Sequence, residues 1–226
     1  MTQRHIGNCE RTAASGEEND VIRLARTSDL PGIVSVHQRA FRSSFLTQLG
    51  NRFLGCYYAL VLGYPGGILI VREGCEGLEG FACGFVDPDR FYGLMSRNKW
   101  RFSLPVLAAA VRRPSLARRI AQGIQRVEKH VAKNTIRSCE LSSVAVGPES
   151  RGRGVGQSLV SAFLLQARFR RADQVYLDTD ADNGPANLLY HNAGFHLCRR
   201  FQRYEGRWMN EYVIDLVPPR ERLRVV

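Results

Sequence analysis

The residues of this chain most suited to chemistry sit in one short run, Arg151-Gly152-Arg153-Gly154-Val155-Gly156. Glycines let backbone approach an anion closely, and the two guanidinium groups can fork onto phosphate oxygens. Before the run, Leu141 to Val146 is apolar and Val-containing and reads as a buried strand, stopped by Gly147 and Pro148. After it, Val155, Leu159, Phe163 and Ala167 repeat at four-residue spacing, with Val160 and Leu164 widening the stripe, as in a helix. Strand, glycine-rich loop and helix start present unpaired helical N–H groups and the positive end of the helix dipole. The run is therefore expected to hold a pyrophosphate. It is not the dinucleotide fingerprint, because Gln157 stands where the third glycine belongs, and not a P-loop, because no Gly-Lys-Ser/Thr is present.

What the loop does match is Gln/Arg-x-x-Gly-x-Gly/Ala, filled by Arg151, Gly154 and Gly156. Behind a Val-rich strand, that pattern resembles the coenzyme A loop of the Gcn5-related N-acetyltransferases (GNAT). A second stretch resembles the family's later signature, Asn-x-x-Ala-x-x-x-Tyr-x-x-x-Gly-Phe, with Asn183, Ala186, Tyr190, Gly194 and Phe195 in its five positions. The resemblance covers Val21 to Leu216, and its specific motifs lie between Glu140 and Phe195. It implies an α+β GNAT fold: a mixed, mostly antiparallel sheet of about seven strands flanked by helices. It also implies an acetyl-CoA-dependent N-acetyltransferase in which a primary amine attacks the thioester directly in a ternary complex, with acetyl-CoA as co-substrate and no metal.

Such a reaction needs a base for the amine, a donor for the oxyanion and a proton donor for the departing thiolate. Glu140 matches the catalytic glutamate of some family members, and strand alternation would put Glu140, Ser142, Val144 and Val146 on one face. A glutamate that merely begins an exposed strand is the other reading. Tyr190 is the implied general acid toward the CoA thiolate, and Asn183 the implied contact to the pantetheine arm or its water. The backbone of Val144, Ala145 and Val146 should pair with pantetheine like an added strand, and Arg151, Gly152, Arg153, Gly154, Val155 and Gly156 should hold the pyrophosphate. The acceptor stays open. A small amine such as an amino sugar or a nucleotide-linked amino sugar is one class; a protein or amino-acid amine is another. A non-catalytic acyl-CoA-binding module is the competing function.

The elements that must position these groups follow in order. Val21 to Ala25 reads as a strand, and Thr27 or Ser28 caps a helix carrying Ile33, Val36, His37 and Phe41. Ser43 to Leu62 is a helical region weakened at Gly50 and Gly55, with Tyr57 and Tyr58 as candidate pocket residues or core aromatics. Ile68 to Arg72 and Leu78 to Val86 form a hairpin, with Gly80 and Gly84 allowing bends. Gln174 to Thr179 is a strand, Pro185 to Gly194 a short helix, and Phe195 to Leu216 a final hairpin. Before the central strand the family has a short connection. Here about fifty residues intervene, residues 88–137, too many for a plain loop. Leu104 to Val111 is helical and apolar nearly all round, and a helix from Pro114 carries Leu116, Ile120, Ile124 and Val127 opposite a strongly basic side. This insertion reads as a solvated cover over the acceptor pocket, a source of charge for an anionic acceptor, or a helix pair on an anionic membrane.

The chain has 226 residues, 44% of them hydrophobic, enough for one sizeable core. One domain is expected over residues 21–217, with tails at 1–20 and 218–226. The net charge of +11 suits an anionic ligand. Nucleic acid is the weaker explanation, since no helix-turn-helix, zinc-finger or RNP pattern is present. The 6 cysteines form no Cys-x-x-Cys pair or metal spacing, and no apolar run reaches membrane-spanning length. Reduced thiols in a cytoplasmic protein, monomeric or homodimeric, are expected.

Overall fold

The computed structural model describes residues 21–42, 44–75, 77–112, 136–203 and 206–217. The expected tails at 1–20 and 218–226, and the expected helix beginning at Pro114, lie outside them.

Seven strands are described: β1 (Val21–Leu24), β2 (Gly67–Gly74), β3 (Gly77–Val86), β4 (Ser138–Val146), β5 (Gln174–Asp180), β6 (His196–Gln202) and β7 (Trp208–Asp215). They form one sheet in the order β1-β2-β3-β4-β5-β7-β6. Every neighbouring pair is antiparallel except β4 with β5. This is the mixed, mostly antiparallel α+β sheet that the family resemblance implies.

The helices are α1 (Leu30–Ala40), α2 (Phe45–Gln48), α3 (Asn51–Gly63), α4 (Pro88–Arg97), α5 (Lys99–Arg112), α6 (Val155–Phe169) and α7 (Gly184–Asn192). The long helical region expected from Ser43 is two helices. Gly50 has φ +91°, a left-handed turn that ends α2 and starts α3. The apolar segment expected from Leu104 belongs to α5, which begins at Lys99, and α4 precedes it.

Alternation along β2 and β3 splits the core into two layers. Leu69, Val71, Phe81, Cys83 and Phe85 face α1 and α3, joined by Phe91 of α4 and Phe102 of α5. Ile68, Ile70, Ala82 and Val86 face α6, which contributes Val155, Leu159, Val160 and Phe163. Gly80 and Gly84 serve this second layer. A Cβ on Gly84 would lie 2.0 Å from the Glu140 carbonyl oxygen and 2.6 Å from the Phe163 ring, so glycine is what lets α6 press onto the sheet.

Candidate active site

β4 and β5 are the one parallel pair, and they pair over a short length: Ser138 with Gln174, Cys139 with Val175, Glu140 with Tyr176. β4 then runs on to Val146 and β5 to Asp180 without further pairing between them. An opening therefore lies in the middle of the sheet. Gly147 N–H bonds the Glu79 carbonyl on β3 at 2.7 Å. Antiparallel alternation then turns the backbone of Ala145 to β3 as well, and that of Val144 and Val146 to the opening. Of the three strand residues expected to meet pantetheine, Val144 and Val146 thus have backbone groups on its side, whereas Ala145 has its side chain in the α1–α3 layer.

Glu140 is buried at the end of the paired stretch. Its carboxylate accepts from the Tyr92 hydroxyl at 2.9 and 3.1 Å and from the Tyr176 hydroxyl at 3.0 Å. It is therefore a carboxylate oriented by two phenols, not an exposed strand start. The expected alternation fails, however. The β3–β4 register shifts between Cys83 and Gly84, so that Cys83 faces Ser143 while Gly84 faces Leu141. Ser142 is the extra residue of a β-bulge. Glu140 pairs with Phe85 of the α1–α3 layer, while Val144 pairs with Ala82 and packs in the α6 layer. Glu140 and the pair Val144 and Val146 thus lie on opposite faces. The bulge is held from α3: Tyr57 hydroxyl bonds Ser142 Oγ at 2.8 Å, and Tyr58 hydroxyl bonds Ser143.

Tyr190 lies on the α6 face, packed edge-on against Phe195 with ring centroids 5.9 Å apart and next to Tyr212. Burial pushes its phenol up to about 12, so it stays protonated through neutral pH. Asn183 caps α7, its Oδ1 accepting from Ala186 N–H at 3.3 Å. One turn on, Asn187 is the hub of the region. Its Nδ2 donates to the carbonyls of Asp180 (3.0 Å) and Asn183 (2.7 Å), and its Oδ1 accepts from Asn210 and the Tyr212 hydroxyl, both at 2.9 Å. It ties the start of α7 to β5 and β7 and so fixes where Tyr190 points.

The Arg151–Gly156 loop is an exposed turn with Gly152 at φ +75° and Gly154 at φ +77°. Gly154 is the N-cap of α6, without a side-chain cap, and the first main-chain bond of the helix is Ser158 N–H to the Gly154 carbonyl. The N–H groups of Val155, Gly156 and Gln157, in the first turn, have no carbonyl within the helix to donate to. Gly156 runs close to Leu189 of α7, which a Cβ would meet at 3.4 Å. The two arginines are not equivalent: Arg151 is exposed, while Arg153 bonds Glu79 at 2.8 Å, and Glu79 also holds Arg72 at 3.0 Å.

His37 of α1 is packed into the core. It is buried, its Nδ1 is 2.6 Å from the Tyr58 hydroxyl, and burial lowers it to about 4. Burial, with the Glu140 charge nearby, likewise pushes the Cys83 and Cys139 thiols up, so neither supplies a thiolate.

The model of the acetyltransferase (GNAT) family matches residues 33–195. The chain belongs to this family. Among curated proteins, it is 37% identical over 70 residues to N-alpha-acetyltransferase RimI of Mycobacterium tuberculosis, 30% of this chain and 42% of the relative. It is 45% identical over 56 residues to a mycothiol acetyltransferase of Thermobispora bispora, 25% of this chain and 19% of the relative. Both alignments span less than half of the relative's length. A Salmonella typhimurium protein solved with its cofactor acetyl-CoA shares the fold at TM-score 0.55 and 18% identity, over 88% of this chain and 94% of that one.

In this GNAT domain Gly156 lies beside Leu189 of α7 and Val146 of β4, and α7 is the helix that Asn183 caps and that carries Tyr190. Tyr92, Tyr176, Asn187 and the bulge were not found by sequence reasoning. Tyr176 alternates on β5 and its pairing with Glu140 could have been sought; Tyr92 carries no such signal. Among the described residues no cluster of His, Cys, Asp and Glu could hold a metal, and no helix is long and apolar enough to cross a membrane.

Proposed function

We propose that this GNAT domain transfers an acetyl group from acetyl-CoA to a primary amine through the opening between β4 and β5. The observation that carries the reading is that Glu140, a carboxylate held by two phenols, stands where β4 and β5 part, on the sheet face opposite the layer that contains Tyr190. The α6 N-terminus and Arg151 meet the pyrophosphate, and the backbone of Val144 and Val146 receives the pantetheine arm. The amine approaches from the α1–α3 face. Its nitrogen bonds to the thioester carbon, the amine proton passes toward Glu140 directly or through water, and the C–S bond then breaks. One of the open main-chain N–H groups of β4 faces the oxyanion. A phenol near 12 holds its proton more tightly than a thiol near the ordinary value of about 8.5. Tyr190 therefore acts chiefly by hydrogen-bonding the developing thiolate.

For the acceptor, α4 supports a compact amine such as an amino sugar. Phe91 stacks on Phe85 at 3.8 Å and Tyr92 reaches Glu140, so α4 lies across the acceptor face and leaves phenol hydroxyls near the site. The local identity with RimI favours a second reading, an N-terminal amine of a polypeptide. A CoA-thiol release assay over free and nucleotide-linked amino sugars, with a short peptide bearing a free N-terminus alongside, separates the two. Tyr190→Phe should lower kcat by about a hundredfold with acetyl-CoA binding nearly intact. Full turnover in that variant would reduce Tyr190 to core packing. Acetyl-CoA binding without release to any amine would make the domain a binding module.

A further inference from the structure

Among the described residues, the outer side of α5 carries a line of exposed apolar side chains away from the β4–β5 opening. Phe102 and Ala109 are buried, and Phe102 packs on Phe53 of α3 with ring centroids 5.3 Å apart. The opposite side carries Trp100, Leu104, Leu107 and Val111, exposed at 70%, 74%, 61% and 73%. At 3.6 residues per turn these four fall within a sector of about 60° and span about 16 Å along the axis. Four large apolar side chains in one line are a patch, not the scattered exposure every surface shows.

Charge says what fits against it. Arg97, Lys99 and Arg101 are exposed around the start of the stripe. Residues 88–137 hold twelve Lys and Arg against two Asp and Glu, a net +10 of the chain's +11. The rest of the chain is therefore nearly neutral, and the positive charge is concentrated in the segment of the sequence that carries this apolar stripe. A second copy placed on α5 would bring two such segments together and be repelled. An anionic, extended, apolar-backed partner would be attracted by the charge and would bury the stripe. Trp100 at one end suits the boundary between headgroups and acyl chains.

We infer that the outer face of α5 docks this protein on an anionic lipid surface, with Trp100, Leu104, Leu107 and Val111 entering the headgroup boundary and Arg97, Lys99 and Arg101 meeting lipid phosphates. Basic residues near such a surface are drawn to its negative potential, and the attraction falls with salt. The inference is independent of the acetyl-transfer reading, and its test needs no activity. Because α4 runs into α5 and carries Tyr92, docking would bring the acceptor face close to the bilayer.

The test is co-sedimentation of the full chain with vesicles of phosphatidylcholine containing phosphatidylglycerol, against phosphatidylcholine alone. Trp208→Phe leaves Trp100 as the remaining tryptophan of the chain's 2, so that its emission reports insertion. Binding to the anionic vesicles, weakened by salt, with a blue shift of Trp100, is expected. Leu104→Glu with Leu107→Glu should cut the partitioning at least about tenfold, which is about 1.4 kcal/mol, at unchanged melting temperature. Equal binding to both vesicle types, or unchanged partitioning of the variant, overturns the proposal. If the wild type ignores vesicles, two other occupants are told apart: a dimer that the double substitution dissociates means a second copy, and a lowered melting temperature means that residues 113–135 cover α5. Either result overturns the lipid assignment.

Discussion

Glu140 illustrates how a single side chain acquires a role from its neighbours. Its identity alone does not distinguish a base from a strand start, but the hydroxyls of Tyr92 and Tyr176 fix both carboxylate oxygens beside the opening. A base must be held within hydrogen-bond reach of the proton that it takes, and the two phenols restrict its rotamers to one orientation. Glu140→Gln preserves shape and still accepts from both phenols, yet it cannot take a proton. Its kcat should fall by about a hundredfold with the acetyl-CoA KM little changed. Tyr92→Phe removes one donor and leaves the carboxylate, and should cost about tenfold in kcat. Steady-state kinetics at saturating acetyl-CoA checks both. Equal, undiminished rates would mean that a water chain, not Glu140, receives the proton.

The bulge in β4 and the glycines of β3 act together. Ser142 adds one residue to β4, so Glu140 faces α3 and α4 while Val144 and Val146 face α6. Tyr57 and Tyr58 hold the bulge from one side, and Phe163 of α6 presses on Gly84 from the other. Gly84→Ala would drive a Cβ into backbone at 2.0 Å and should destabilise the fold by about 3 kcal/mol by urea denaturation. Gly93→Ala in α4 meets nothing within 4 Å and should be neutral or stabilising by up to about 1 kcal/mol. Comparable losses in the two would show that helix and strand propensity, not the close approach, sets the cost. The same region marks the limit of what the sequence discloses. Apolar spacing and turn residues locate α6, β2 and β3, and the spaced Asn, Tyr, Gly and Arg positions mark the family motifs that fall on α7 and the start of α6. A bulge leaves no periodic trace, because Ser142 and Ser143 suit either face and the register is set by pairing with a distant strand. Gly84 looked like a bend for the same reason: the ring that needs its space comes from a helix 79 residues later in the chain. Tyr92 lies in an insertion whose path cannot be deduced from hydrophobic spacing.

The layer between the sheet and helices α1 and α3 also sets how the folded protein responds to acid. His37 sits among Phe41, Tyr58 and Phe81, with the Tyr58 hydroxyl on Nδ1 and Ser44 Oγ 3.5 Å from Nε2. No carboxylate is among these neighbours to stabilise an imidazolium, and burial lowers the group to about 4. In the unfolded chain the same histidine titrates near 6.5. Between those values the unfolded state binds a proton that the native state refuses, so its stability is full above about pH 6.5 and is lost as pH falls toward 4. Over the interval from pH 7 to pH 5 the loss is about 2 kcal/mol. Denaturant titrations at the two pH values measure it. His37→Gln keeps a polar partner for Tyr58 and removes the titration. That variant should start less stable at pH 7 yet lose about 2 kcal/mol less than the wild type on going to pH 5. A parallel decline in both proteins would assign the acid sensitivity to another group. A flattened decline would show that the His37–Tyr58–Ser143 chain, which steadies the bulge beneath the acceptor face, also ties the integrity of the site to pH.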